Sequence, residues 1–215
     1  MAKKQKAPNR RGSIIIISAP SGSGKSTLVK QLLASVPQLV FSVSHTTRPM
    51  RVGERNGQAY FFVSPARFKQ MIAAGDFAEW ANVFGNYYGT SWKQIRAAQA
   101  AGKDVLLDID VQGHQQVRRR LPEGVSVFIL PPSFPELERR LRSRHSDAPD
   151  VIRRRLRAAR AEMRRWTEYD YLIVNDHLDS ATRALTSVVE AAGFRLKNQQ
   201  DRARKILNTF GGKIG

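Results

Sequence analysis

The sequence predicts an α/β fold: a mostly parallel sheet in a three-layer core, with a small α+β insertion and a helical lid. Three observations predict it. Residues 13–28 join an apolar strand, a glycine-rich turn and a helix without interruption. From residue 103 to 192 apolar strands alternate with helical segments, the pattern of a parallel sheet. Between about 42 and 90, short strands with hairpin signals interrupt that alternation.

Taken in order, Ile14, Ile15, Ile16 and Ile17 make a short strand buried on both faces. A turn follows at 19–26 and a helix at 27–34. Residues 39–44 read as a second strand, and 45–57, with its Pro and Gly breaks, as a loop. Residues 60–63 are a strand. Residues 65–74 are a helix with Phe68, Met71 and Ile72 on one face. Strands at 77–84 and 87–90 flank the Gly85-Asn86 turn. Ser91 can cap a helix at 91–101 that Gly102 closes. Residues 103–110 form a buried strand ending in acids, followed by a helix at 112–120 and a buried strand at 125–130 that Pro131 and Pro132 stop. Ser133 can cap a helix at 134–144, and a second helix at 150–166 follows a short break. The last strand is 171–174 and the last core helix 180–192. From Arg195 the chain is basic and amphipathic, with Ile206, Leu207 and Phe210, leaving a helical and a mobile reading open. The domain reading is a basic tail at 1–12, one domain at 13–193 and a basic tail at 194–215. Within the domain the core is 13–41, 91–133 and 167–193, the insert about 42–90 and the lid about 134–166.

The turn carries the chemistry. Gly22 and Gly24 let the backbone aim its N–H groups inward around a phosphate, and the helix N-terminus adds positive partial charge there. Lys25 can reach the β- and γ-phosphates of a nucleoside triphosphate, and the Ser26 hydroxyl can sit on Mg²⁺. Ala19, Pro20, Ser21, Gly22, Ser23, Gly24, Lys25, Ser26 and Thr27 therefore read as a P-loop, and the core as P-loop NTPase-type. Ala19 stands where a glycine is common. Arg140 and Arg144 are four apart on one helical face, and Arg155 lies on the next helix. Arginines closing over a triphosphate would neutralise the moving group and exclude water.

The formal charge of +18 is unevenly spread. Residues 1–12 carry +5, residues 195–215 carry +5 and residues 136–165 carry +6, leaving +2 for the rest. Basic tails bind nucleic acid or keep a protein soluble, and no RNA-module or helix-turn-helix pattern accompanies these. No apolar run of about eighteen residues predicts a membrane span. The basic N-terminus lacks the apolar stretch of a secretory signal, and there is no cysteine, so a cytoplasmic location is expected.

Residues 42–54 (Ser-Val-Ser-His-Thr-Thr-Arg-Pro-Met-Arg-Val-Gly-Glu), 85–90 (Gly-Asn-Tyr-Tyr-Gly-Thr), 107–113 (Leu-Asp-Ile-Asp-Val-Gln-Gly), 129–133 (Ile-Leu-Pro-Pro-Ser) and 169–176 (Tyr-Asp-Tyr-Leu-Ile-Val-Asn-Asp) resemble guanylate kinases of the bacterial kind. The resemblance runs from about 13 to 193 and leaves the two basic tails uncovered. It implies ATP as phosphate donor, GMP as acceptor with dGMP expected beside it, Mg²⁺, and products ADP and GDP, serving purine nucleotide synthesis and GMP recycling. It implies that Arg48, Arg51, Tyr60 and Tyr88 hold the GMP phosphate, with Glu54 supporting the arginines, and that Ser44, Glu79 and Thr90 read guanine. Glu79 suits that role, since a carboxylate can accept from guanine N1–H and the 2-amino group together, a pair adenine lacks. Asp108 and Asp110 share two roles left undivided, positioning GMP and, with Ser26, holding Mg²⁺. Lys25, Arg48, Arg140, Arg144 and Arg155 are the expected catalytic cations. Thr90 keeps a hydroxyl where serine is common; His145 and His177 replace the usual glycine and aspartate. The rival readings are a non-catalytic peptide-binding relative, a kinase of another nucleoside monophosphate, and a nucleic-acid binder built on the tails. Lys25 and the lid arginines speak against the first and Glu79 against the second. Homo-oligomerisation is left open.

Overall fold

The computed structural model describes residues 11–143 and 148–210. Its centre is a five-stranded sheet. β1 (Ile14–Ser18) runs down the middle and is buried at every position. It pairs in parallel with β7 (Asp104–Asp108) on one side and β8 (Val125–Leu130) on the other, with Ile16 opposite Leu107 and Ile17 opposite Val127. β2 (Leu39–Phe41) and β9 (Tyr171–Val174) pair in parallel at the edges, giving the order β2-β7-β1-β8-β9.

The strand period of two divides the four isoleucines between two cores. Ile15 and Ile17 pack with Leu28 and Leu32 of α1 (Lys25–Ser35) and with Leu185 and Val189 of α7 (Leu178–Gly193). Ile14 and Ile16 face the other way, toward Ile95 of α3 (Trp92–Ala100) and Val117 of α4 (Val111–Arg120). The result is the three-layer, mostly parallel α/β core expected. Burying each isoleucine contributes about 1.5–3 kcal/mol before entropy is charged against it. No described helix is long and apolar enough to cross a membrane.

A second, four-stranded sheet has the order β4-β3-β6-β5. Its strands are β3 (His45–Thr46), β4 (Phe61–Phe62), β5 (Phe77–Val83) and β6 (Asn86–Ser91). β3 pairs parallel with β4, and β6 runs antiparallel to both β3 and β5. α2 (Pro65–Ala73), capped by the Ser64 hydroxyl on the Arg67 N–H, covers one face through Phe68 and Met71. Phe68 stacks on Phe77 at 4.5 Å between ring centroids and on Tyr87 at 5.4 Å. Gly89 has no room for a side chain, because a Cβ there would lie 2.9 Å from Phe77.

α5 (Phe134–Arg142) and α6 (Pro149–Met163) pack against each other through Leu137, Leu141, Ile152, Leu156 and Ala159. The Ser133 hydroxyl caps α5 as expected, accepting from the Glu136 N–H. Arg144 and His145 lie outside the described residues. The last α-helix among the described residues is α8 (Leu196–Leu207), so that part of the basic segment is helical. Asn198 anchors it, donating to Ser13 Oγ at 2.9 Å and to the Ala192 carbonyl at 2.8 Å.

Local expectations differ at four points, the first being that β3 (His45–Thr46) falls in the stretch expected as a loop. β2 ends at Phe41, because Ser42 and the residues after it leave the sheet toward β3. Ser91 closes β6 and precedes α3 without a side-chain cap bond. β7 ends at Asp108, and Asp110 caps α4 by accepting from the Gly113 N–H at 2.8 Å. A carboxylate two residues past a strand satisfies a free helix amide there.

Candidate functional site

The loop between β1 and α1 lies at the carboxyl ends of the parallel strands, where open α/β sheets bind ligands. Gly22 and Gly24 have φ of 93° and 89°, backbone that other residues adopt only under strain. Gly24 is also the N-cap of α1, so no side chain caps the helix, and its first turn carries no acid. Those amides and the dipole make an anion site.

Beyond the loop, a cleft of about 280 Å³ opens between the two sheets. One wall carries Lys25 and Ser26 of α1 together with Asp108, Ile109 and Asp110. The facing wall carries Ser44, Tyr60, Glu79 and Tyr88. Residues separated by up to 85 positions thus meet, and eight sequence-predicted side chains share one cavity. Lys25 Nζ is ion-paired with Asp108 Oδ1.

Glu79 is buried, 3% exposed. Burial pushes its carboxyl up to about 7; the Thr90 hydroxyl and amide beside it pull down and the Asp110 charge adds to the rise. Thr90 lies opposite it on β6 and is fully buried. A Cβ on Gly113 would lie 2.5 Å from Glu79 Oε2, so the carboxylate rests against the first turn of α4. Arg48 donates to Glu54 Oε1 at 2.7 Å and to the Pro49 carbonyl, with its guanidinium 5.4 Å from the Tyr60 ring centre. Glu54 also accepts from the Arg51 N–H at 2.8 Å. The Arg48 guanidinium, with that amide, holds the Glu54 carboxyl below its usual range. The Tyr60 and Tyr88 rings lie 5.8 Å apart, while Arg51 is exposed on its loop.

Helices α5 and α6 reach the loop rather than the cleft. Arg155 donates to Ser21 Oγ at 2.7 and 3.2 Å. Arg140 reaches the Ser23 carbonyl, and its Nε is held by Glu136 at 2.7 Å. Arg139 and Arg140 together keep the Glu136 carboxyl down at about 2.

Three polar residues at the loop escape the sequence reading. Glu136 precedes Arg140 by one helical turn, a spacing that could have found it. Glu162 lies two turns after Arg155 on the same face of α6; burial raises its carboxyl, with Asp110 adding and Lys25 and the Ser21 amide opposing. Asn175, which donates to the Ser23 carbonyl, lies in the stretch 169–176 that carries the resemblance, but nothing in its spacing marks a role.

A divalent cation suits part of this cleft. Ser26, Asp108 and Asp110 offer hydroxyl and carboxylate oxygens, the donors Mg²⁺ takes, on the wall that also carries Lys25. Among the described residues no group of three or more His, Cys, Asp or Glu is set to hold a metal. One or two protein oxygens completed by phosphate and water is the usual Mg²⁺ arrangement.

A phosphate-binding loop at the carboxyl edge of a parallel sheet, opening into a cleft with a buried acid opposite, defines a P-loop α/β nucleotide-binding protein. The sequence model for guanylate kinase matches residues 11–192. The guanylate kinase of Dechloromonas aromatica is 52% identical over 191 residues, covering 89% of this chain and 95% of its own length. That of Escherichia coli K12 is 50% identical over 200 residues, 92% of this chain and 97% of its own. The solved guanylate kinase of Anaplasma phagocytophilum matches with a TM-score of 0.73 at 33% identity, covering 88% of this chain and 90% of that one. The chain belongs to the guanylate kinase family.

Proposed function

We propose that this chain transfers the γ-phosphate of ATP to GMP, giving ADP and GDP, with dGMP as a second acceptor and Mg²⁺ as the metal. The observation that carries the reading is the single cleft joining Lys25, Ser26, Asp108 and Asp110 to Ser44, Tyr60, Glu79 and Tyr88. Residues 42–90 then form the GMP-binding insert and 134–166 the lid over ATP.

ATP lies in the loop 19–27, its phosphates on the backbone amides and on Lys25. Guanine lies toward Glu79, whose carboxylate accepts from N1–H and the 2-amino group, with the Ser44 and Thr90 hydroxyls supporting the contact. A protonated Glu79 offers one acceptor fewer, so guanine favours the ionised form and draws the proton off. Adenine leaves the buried carboxylate unpaired, which costs enough to reject AMP. Arg48, Arg51, Tyr60 and Tyr88 take the GMP phosphate. Glu54 keeps Arg48 aimed at it, and the flat guanidinium suits the phosphate oxygens.

An oxygen of that phosphate attacks the γ-phosphorus in line, the bond to the ADP oxygen breaks, and no covalent enzyme intermediate forms. No general base is required, because a phosphomonoester is already ionised near neutral pH. Lys25, Arg140, Arg144 and Arg155 neutralise the transferring group, and the lid excludes water as competing acceptor. Ser26 and Asp110 would hold Mg²⁺, which would supply neutralisation of phosphate charge.

The test is ADP release with ATP and Mg²⁺, offering GMP, dGMP, AMP, CMP and UMP separately. Turnover with GMP and dGMP alone is expected. Equal turnover with AMP would remove Glu79 from base reading. No turnover with any acceptor, in protein that still binds GMP, would leave a binding module.

A further inference from the structure

Asn175 follows β9 and extends its pairing, donating from its N–H to the Leu130 carbonyl at 2.8 Å. It therefore sits at the carboxyl end of the edge strand, level with the phosphate-binding loop. The residue is 5% exposed. Its side-chain Nδ2 donates to the Ser23 carbonyl at 2.8 Å. A Cβ on Gly24 would come within 2.3 Å of that same nitrogen, so the amide is packed directly against the loop. Its own carbonyl accepts from Arg140 Nη2 at 3.1 Å, while Arg140 Nη1 reaches the Ser23 carbonyl at 3.4 Å. Loop, edge strand and lid arginine thus close a three-way hydrogen-bonded ring.

We infer that Asn175 is a positioning residue for phosphoryl transfer, setting the Ser23–Gly24 peptide of the loop and the docking point of Arg140 at once. A peptide is planar and trans, so pinning the Ser23 carbonyl toward Asn175 turns the Gly24 N–H the opposite way, away from Asn175. Beside Asn175, the Ser23 carbonyl has the longer 3.4 Å contact from Arg140 Nη1. Gly24 accepts φ on either side of zero, so without a partner the unit can rotate and withdraw an amide donor from the phosphate. Arg140 depends on the same ring. Glu136 fixes its Nε, and among the described residues the two terminal nitrogens find acceptors at Ser23 and Asn175. A loop carbonyl that swings away takes one anchor of the arginine with it. Asn175 acts through these two groups, and the inference rests on the reading of the chain as an ATP-to-GMP phosphotransferase.

The decisive comparison uses Asn175→Ala and Asn175→Asp in the full chain, with Arg140→Ala and the Asn175→Ala/Arg140→Ala double variant. Aspartate keeps the volume but sets an acceptor against the Ser23 carbonyl. Steady-state ADP release gives kcat and the two KM values, and thermal melting reports folding. Loss of about ten- to hundredfold in kcat is expected for both single variants at Asn175, as a misplaced catalytic group costs. The KM for ATP should rise and the KM for GMP stay within about twofold, since the amide touches only the ATP side. In the Arg140→Ala background Asn175→Ala should cost clearly less than in the wild type, the mark of shared partners. A melting temperature that falls while kcat and the KM for ATP hold would overturn the inference and leave Asn175 as packing. Effects at the two positions that simply multiply would overturn the Arg140 arm. Should Asn175→Ala fail to fold, the isosteric aspartate carries the same test. Calorimetric titration of ATP without GMP separates this inference from the activity it rests on. A wild type that binds ATP but turns over no GMP sinks the activity, whereas unchanged ATP affinity in both Asn175 variants sinks the loop positioning.

Discussion

The two walls of the cleft are built to offer a ligand opposite kinds of group. On the loop wall the recognition is backbone. Gly22 and Gly24 at positive φ, an uncapped helix N-terminus and one cation, Lys25, make the site from fourteen consecutive residues, 14–27. On the facing wall the recognition is side chain. Arg48 is aimed by Glu54 and laid beside Tyr60, Tyr60 meets Tyr88, and Glu79 is held between β6 and α4. Backbone recognition requires contiguity, because neighbouring amides must converge. Side-chain recognition requires only that strands meet, so its parts can come from anywhere between residues 44 and 90. The first wall tolerates many side chains but few backbones; the second tolerates few side chains.

Substitutions that break one wall should leave the other working. The largest effect is expected from Lys25→Ala, a fall in kcat of about 10²–10³-fold or more with the melting temperature little changed. Single-turnover and steady-state rates measure it, and a folded variant with normal turnover would remove Lys25 from the chemistry. On the other wall, Glu79→Gln should cut the preference for GMP over AMP by about 10²-fold while sparing ATP binding, because an amide cannot accept both guanine donors. The ratio of kcat/KM for the two acceptors reads it directly.

Gly24→Ala sharpens the backbone argument. The added Cβ meets Asn175 and forces φ of 89° on an alanine. Destabilisation of about 1–3 kcal/mol is expected in urea unfolding, with a rise in the KM for ATP. A neutral result would mean that the loop relaxes freely.

Proton linkage sharpens the other wall. With its carboxyl at about 7, Glu79 is substantially protonated at neutral pH, and on the proposed reading guanine takes the ionised form. The KM for GMP should therefore rise as the pH falls below 7, by up to about tenfold per unit. Comparison with Glu79→Gln isolates this from titration of the GMP phosphate, and parallel profiles would discard it. The same shift fixes a sign for stability. A carboxyl at 4.5 in the unfolded chain and about 7 when folded loses stabilisation as the pH rises between those values.

The smallest effect belongs to His114, which does not line the cleft. It is 1% exposed, stacks on Tyr169 at 3.8 Å, and has both ring nitrogens buried without a hydrogen bond. Burial, with Arg118 adding, pulls it down to about 4. A depressed histidine stays neutral while the unfolded chain takes a proton, so stability should fall as the pH drops from 6.5 toward 4. Melting temperatures at pH 5 and 7.5 should converge in His114→Phe; an unchanged gap would exclude the histidine as the cause.

How legible each wall was follows from the same contrast. β1, the loop and α1 could be read directly, since apolar run, glycine spacing and helical run are adjacent. The four-stranded sheet could be read only as short strands. Its β3 falls inside a stretch whose Pro and Gly breaks predict a loop, because two residues with good cross-strand partners make a strand that no local pattern announces. Asp110 reads as the end of a strand and is instead a helix cap, since strand and cap favour the same short acid. On α5 and α6, Arg140 and Arg155 stand out by charge and spacing. What they hold in this structure, the Ser23 carbonyl and Ser21 hydroxyl, does not.

The sequence by itself determined the alternation of strands and helices, the anion-binding loop and the kinds of group available for phosphate and guanine. Each depends on neighbours within one or two turns of chain, where geometry follows from covalent connection. Only the tertiary structure decided that Glu79 would be buried deep enough to hold its proton near neutrality. Only it could bring Asn175, at the end of the edge strand, to brace a loop 152 residues earlier in the chain. Burial and long-range hydrogen bonds exist only once separate elements have packed, and no spacing along the chain encodes them.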